Sequence, residues 1–210
     1  MTTLLVIAKQ PLPGRVKTRL TPPFTPGEAA ALAEAALADT LVAAALVPAE
    51  RHVLVLDGEP GPWLPSGYEV VPQVTGGLDV RLAAAFGACD GPALLIGMDT
   101  PQVAPALLAP ALCWETYDAW FGAAADGGFW ALGLVTPDPA LLLGVPMSRP
   151  DTGAVQYERL RAAGLRIGTL PVLRDVDTAE DARQVAGRAP GTRFAALHAA
   201  LTVTPAGARA

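Results

Sequence analysis

Residues 93–103 read ALLIGMDTPQV, and no other stretch restricts the fold as much. Four consecutive apolar residues, Ala93 to Ile96, with Met98 beyond Gly97, match a strand buried on both faces of a parallel sheet. The run halts at Asp99, and Pro101, which has no N–H, cannot extend a ladder. An acid at the carboxyl end of a central strand lies where open α/β sheets bind their ligands. Two readings of Asp99 follow: the opening of an Asp-Thr-Pro turn, or a carboxylate presented to a metal or substrate.

The rest of the chain alternates in the same style. Apolar runs predict strands at 3–8, 52–57, 68–72, 119–125, 129–135 and 166–171. Helical patterns fall at 26–46, 76–88, 105–115, 140–143, 152–163, 178–186 and 190–200. Thr25 is the expected N-cap of the first helix, with Pro26 at its first position, and Asp177 the expected N-cap of the helix at 178. This alternation means an α/β/α sandwich with a mostly parallel sheet. With no repeat and no linker-like shift in composition, residues 1–201 read as one domain and 202–210 as a patternless tail. Cys89 and Cys113 are too few and too far apart for a zinc or redox motif, and read as small buried hydrophobes. A net charge of −5 argues against a nucleic-acid binder. No run is long enough to span a bilayer and no leader precedes the first strand, so the expected location is cytoplasmic, away from membranes.

Chemistry-bearing residues cluster at the predicted strand ends. Lys9, Arg15, Lys17 and Arg19 place four of the fifteen cations within eleven residues after the first strand. Gly14 and the prolines Pro11, Pro13, Pro22 and Pro23 keep this loop irregular, as a polyphosphate cradle requires, although a solvated basic loop has the same composition. It is not a Walker A loop, which would need glycines at Pro11 and Val16, and no G-x-G-x-x-G occurs. Gln73, Gly76, Gly77 and Arg81 stand between a strand and a helix, where paired glycines let backbone approach a flat ligand. Asp126, in Asp-Gly-Gly-Phe-Trp, is either a hairpin residue or a strand-end carboxylate. Asp175 and Asp177 flank Val176, and with Asp99 could hold Mg²⁺, which takes one or two carboxylates plus substrate phosphates. Ser66 and Ser148 lie in no nucleophile elbow, and His52 and His198 suit neither a zinc site nor a general base.

These motifs, K-x-P-x-P-G-x-V-K-T-R-L, G-G-L-x-x-R-L, I-G-x-D-T-P, D-G-G-F-W and D-V-D-T-x-x-D, occur in that order between residues 3 and 181. Together they resemble the glycosyltransferase-like family DUF2064, with the nucleotide-diphospho-sugar transferase (GT-A) fold. More distantly the chain is similar to the guanylyltransferases of molybdopterin and phospholactate metabolism and to the cytidylyltransferase acting on the sugar acid KDO. The resemblance implies that Arg15, Lys17 and Arg19 grip a triphosphate, that Asp99 and Asp177 hold the catalytic metal, and that Asp126 faces the acceptor. Two departures stand out: the first loop lacks a G-x-G-x-R form, and Asp79 replaces a third glycine after Gly76-Gly77.

The expectation is a transferase using Mg²⁺ or Mn²⁺, with a nucleotide or nucleotide-sugar donor. Catalysis would rest on Lys17, Arg19, Asp99 and Asp126, and donor binding on Lys9, Gly14, Arg15, Lys17, Arg19, Gln73, Gly76, Gly77 and Arg81. The acceptor would be small, and anionic if Arg149, Arg159 and Arg161 meet it. The rival is a noncatalytic nucleotide-binding protein with the same fold.

Overall fold

A computed structural model of the chain describes residues 2–203. Its seven strands are β1 (Thr3–Lys9), β2 (Arg51–Asp57), β3 (Tyr68–Pro72), β4 (Ala93–Gly97), β5 (Ala119–Ala124), β6 (Phe129–Leu134) and β7 (Ile167–Leu173). They form one sheet in the order β3-β2-β1-β4-β6-β5-β7. β6 alone runs against its neighbours, because a tight turn joins it to β5 and a tight turn must reverse the chain. The carboxyl ends of the other six strands and the β5–β6 turn therefore share one edge of the sheet.

Both faces are covered, which is why the strands read as continuous apolar runs. Leu4, Val6, Leu94 and Ile96 point to one face, and Leu5, Ala93 and Leu95 to the other. The first face packs against α1 (Pro26–Ala45) through Leu37 and Leu41, with Trp120 and Trp130. The second packs against α2 (Leu78–Gly87) and α4 (Thr152–Ala162) through Leu82, Phe86 and Leu160. A third cluster joins the far side of α1 to α5 (Ala179–Arg188) and α6 (Arg193–Val203), with Leu20, Phe24, Leu32, Val176, Val185 and Phe194 buried together. α1 thus buries two sides, and Thr25 is its N-cap as expected, here in a capping box with Glu28. Asp39 of α1 caps α6 in turn, accepting from the Arg193 and Phe194 amides at 3.1 and 2.9 Å.

Several expectations fail locally. The helix predicted at 105–115 is one turn, α3 (Pro105–Leu108), followed by a 3₁₀ turn over Ala109–Leu112, because Pro110 has no N–H to continue an α-ladder. The helix predicted at 140–143 is likewise a 3₁₀ turn, Pro139–Leu141. Thr178, not Asp177, caps α5: its hydroxyl accepts from Asp181 N, whose carboxylate returns to Thr178 N at 2.9 Å. The reciprocal pair satisfies two end amides where a lone Asp177 would satisfy one, and it leaves the Asp177 carboxylate available. Cys113 is exposed and Cys89 half-buried, so neither is a core residue. α6 continues to Val203, with the Thr202 hydroxyl bonded to the His198 carbonyl; residues 204–210 of the expected tail lie outside the described residues. No helix among the described residues is long and apolar enough to cross a membrane.

Candidate functional site

The predicted donor, metal and catalytic residues lie at the shared edge in two groups, whereas Arg159 and Arg161 stand at the end of α4 that leads to the opposite edge. The first group forms because Leu20 and Val176 are buried in the same cluster, which draws the basic loop and the late acidic segment together. Val176 N also donates to Asp99 O at 2.9 Å, pinning that segment to the end of β4. Lys17 therefore reaches two acids far away in the chain. Its ammonium lies 2.8 Å from Asp99 Oδ1 and 3.0 Å from Asp177 Oδ1, and its side chain is only 9% exposed.

The Lys17 backbone is left-handed (φ 49°, ψ 37°) and opens a 3₁₀ turn over Thr18–Leu20. A side chain there costs roughly 1–2 kcal/mol. Burial alone would pull the Lys17 pKa down, but the charges and hydrogen bonds of Asp99 and Asp177 outweigh it and hold the pKa above its ordinary value. Arg19 is a looser partner, mostly exposed and 3.9 Å from Asp177 Oδ2.

Asp175 sits behind this pair. Burial, then the charges of Asp99, Asp126 and Asp177, pushes its carboxyl up to about 7, with Lys17 opposing. Its Oδ1 is buried without a hydrogen-bond partner among the described residues, as are Thr100 Oγ1, Gln102 Oε1 and Arg174 Nε on the same two segments. Buried polar groups are rarely left so, and a run of them beside a charged cluster marks where ligand, ion or water binds.

Asp126 faces the same cluster from the β5–β6 turn, where its Oδ1 accepts from Gly128 N at 2.9 Å. The turn is held from outside. Gly127 has φ +92°, a Cβ there would lie 1.9 Å from Pro150 O, and Gly153 N donates to Gly127 O at 2.8 Å. Beside it runs a groove of about 450 Å³ lined by Phe121, Gly128, Pro150, Gly153, Tyr157 and Thr169. A cavity of about 170 Å³ separates the basic loop from α1.

The second group gathers at the ends of β2 and β3. Gln73 Nε2 donates to Ala8 O (2.7 Å) and Val55 O (3.1 Å), while its Oε1 accepts from Arg81 Nη1 at 2.9 Å. Arg81 also bonds Gly76 O at 3.0 Å and Asp57 Oδ2 at 2.7 Å. The Arg81 hydrogen bond chiefly holds the Asp57 carboxyl below the usual range, with Lys9 and Arg15 adding their charges. The basic loop is thus split: Lys9 and Arg15 add their charges at Asp57, whereas Lys17, at a left-handed turn, and Arg19 pair with Asp177. Gly77 begins α2 without a side-chain cap. Asp79 lies against this turn: its Oδ2 accepts from Gly144 N at 2.9 Å, while a Cβ at Gly77 would fall 2.5 Å from its Oδ1.

Arg149, Arg159 and Arg161 are engaged by Asp151, Leu143 O and Glu158. Asp57 was missed in the sequence although the signal matches that of Asp99, an acid ending an apolar strand; Asp175 was visible in its motif, but its burial was not. Among the described residues no group of three or more His, Cys, Asp or Glu side chains closes on a point. Two hard carboxylates, with Asp175 Oδ1 unsatisfied beside them, do suit Mg²⁺ or Mn²⁺ completed by ligand phosphates.

The same architecture occurs in solved structures. A protein from Desulfovibrio desulfuricans G20, provisionally described as a nucleotide-diphospho-sugar transferase, is 26% identical, with 96% of this chain and 94% of that chain covered at a TM-score of 0.83. Rv0371c from Mycobacterium tuberculosis H37Rv, solved with manganese, is 22% identical over 88% of this chain and 96% of its own, at 0.54. CMP:2-keto-3-deoxy-manno-octonic acid synthetase, solved with CTP, is 13% identical over 90% and 98%, at 0.55. Likeness at these last two levels shows the fold alone. No curated protein matches the chain. A family profile does, over residues 29–149, which span β2 to β6 with Asp57, Asp99 and Asp126, and the chain accordingly belongs to the family described as uncharacterized protein conserved in bacteria, DUF2064.

Proposed function

We propose that this chain is a divalent-metal-dependent transferase moving a nucleotidyl or glycosyl group from a nucleoside triphosphate or nucleotide-sugar to a small acceptor. The observation that carries the reading is the Asp99–Lys17–Asp177 unit at the sheet edge, bordered by buried polar atoms without a hydrogen-bond partner among the described residues. Asp99 and Asp177 would hold the ion, which when bound neutralises charge on the donor phosphates and on the leaving group. Lys17 and Arg19 pair with the same phosphates, so rate acceleration comes from positioning and electrostatics and needs no protein nucleophile. The amides at the start of α2, around Gly77, face the donor's far end, and Gln73, Arg81 and Asp57 stiffen that turn. Asp126 orients the acceptor.

In nucleotidyl transfer an acceptor oxygen bonds to the α-phosphorus and pyrophosphate leaves; in glycosyl transfer it bonds to the anomeric carbon and a nucleoside diphosphate leaves. Two features favour the first. A triphosphate requires more cations than a diphosphate, and the CTP complex of the KDO synthetase belongs to a nucleotidyltransferase of the same fold. The acceptor arginines inferred earlier are engaged by intramolecular partners, so the acceptor need not be anionic.

The test is a melting screen of triphosphates and nucleotide-sugars with and without Mg²⁺ or Mn²⁺, followed by product analysis with the ligand that raises Tm. Metal-dependent stabilisation with pyrophosphate release supports the nucleotidyl reading, and free diphosphate release the glycosyl one. Nucleotide binding indifferent to metal and to Asp99→Asn would favour the noncatalytic binder.

A further inference from the structure

The functional reading assigns Asp99 and Asp177 to a divalent ion and Lys17 to phosphate, yet in the structure the three groups are already bonded to one another. The ammonium sits on Asp99 Oδ1 and Asp177 Oδ1, nearly out of contact with solvent. A divalent ion would need those carboxylates at about 2.0–2.1 Å, and an ammonium held on Oδ1 of each would stand close beside it as a like charge in a site nearly closed to solvent. Resting on that reading, we infer that Lys17 is a resident counter-cation: it holds the two carboxylates together in the metal-free protein, withdraws when an ion enters, and passes its charge to the donor phosphates.

The residue type suits this role. The chain has thirteen arginines and two lysines, Lys9 at the end of β1 and Lys17 in the loop that follows. A guanidinium binds carboxylates through a planar fork, whereas an ammonium is a point charge on a flexible stem that can leave one anion for another. The backbone beneath it is held by the 3₁₀ turn and the burial of Leu20, which confines the exchange to the side chain. Because expelling Lys17 is a cost shared by both ligands, metal and donor each make the other bind more tightly.

Having two lysines makes the test direct. In wild-type protein treated with an amine-acetylating reagent, exposed Lys9 serves as internal reference and mass spectrometry reads each site. Without metal, Lys17 should react far more slowly than Lys9; saturating Mn²⁺ should raise the Lys17 rate about tenfold and leave Lys9 unchanged, and added nucleotide should protect Lys17 again. In Lys17→Met, Mn²⁺ affinity without nucleotide, measured by electron paramagnetic resonance, should tighten by about tenfold. Should that variant misfold because two carboxylates lose their counter-charge, the wild-type labelling decides alone. If Mn²⁺ binds while Lys17 stays protected, the exchange is wrong and the metal reading survives. If Mn²⁺ binds neither protein, with or without nucleotide, both fail.

Discussion

Two strands of this sheet end in an acid facing a cation, and the two pairs behave differently. At the end of β2, Asp57 meets Arg81, whose other bonds go to Gln73 and Gly76. At the end of β4, Asp99 meets Lys17, which is shared with Asp177 and stands beside buried polar atoms lacking partners. The first arrangement satisfies its buried groups and rigidifies a turn. The second leaves them unsatisfied, which is costly in a folded protein unless a ligand relieves it. The contrast separates scaffold from reaction centre more sharply than charge alone does, since both pairs have the same chemistry.

The strongest way to break this contrast is Asp99→Asn. Turnover should fall by at least about a hundredfold to a thousandfold, while the protein still folds because Lys17 keeps Asp177 as a counter-charge. A variant that melts far below wild type while keeping its rate would make Asp99 structural. Gly127→Ala comes next: the left-handed φ and the contact with Pro150 O allow no Cβ, so denaturant unfolding should show a loss of about 1–3 kcal/mol or more. An unchanged midpoint would show that the turn yields. Arg81→Gln should cost about 1–3 kcal/mol by leaving Gln73 and Asp57 underbonded, with the kcat of the residual folded enzyme nearly intact. A large drop in kcat without loss of stability would move Arg81 into the reaction centre.

The smallest effect concerns a site away from both acids. His198 is buried between Phe24 and Phe194, and burial lowers its pKa from 6.5. The fold favours the neutral ring, so this stability is present above pH 6.5 and is lost as pH falls through the lowered folded value. The acid limb of a stability–pH profile should therefore flatten in His198→Phe; an unchanged limb would assign it to other groups, such as Asp181, where burial is outweighed by bonds to Thr178 and Arg174 that hold its carboxyl below the usual range.

Much of the frame was legible because its causes are local. The double-sided apolar runs at Leu4–Val6 and Leu94–Ile96, the capping box at Thr25 and the Gly-rich turns announce themselves within a few residues. The helix expected at 105–115 misled because apolar periodicity outweighed Pro110, which ends the ladder. The basic loop read as a single phosphate grip, since composition counts charges and cannot tell which way each one turns.

By itself the sequence determined the α/β alternation, the acids at the strand ends and the cations beyond β1, since these depend on side-chain periodicity and on where backbone ladders must stop. Only the tertiary structure decided which acid meets which cation. Lys17 reaches Asp177 because Leu20 and Val176 share one core and Val176 is bonded to Asp99 O, and Asp175 is buried by the same packing. Such pairings arise from burial of residues far apart in the chain, and no local pattern encodes them.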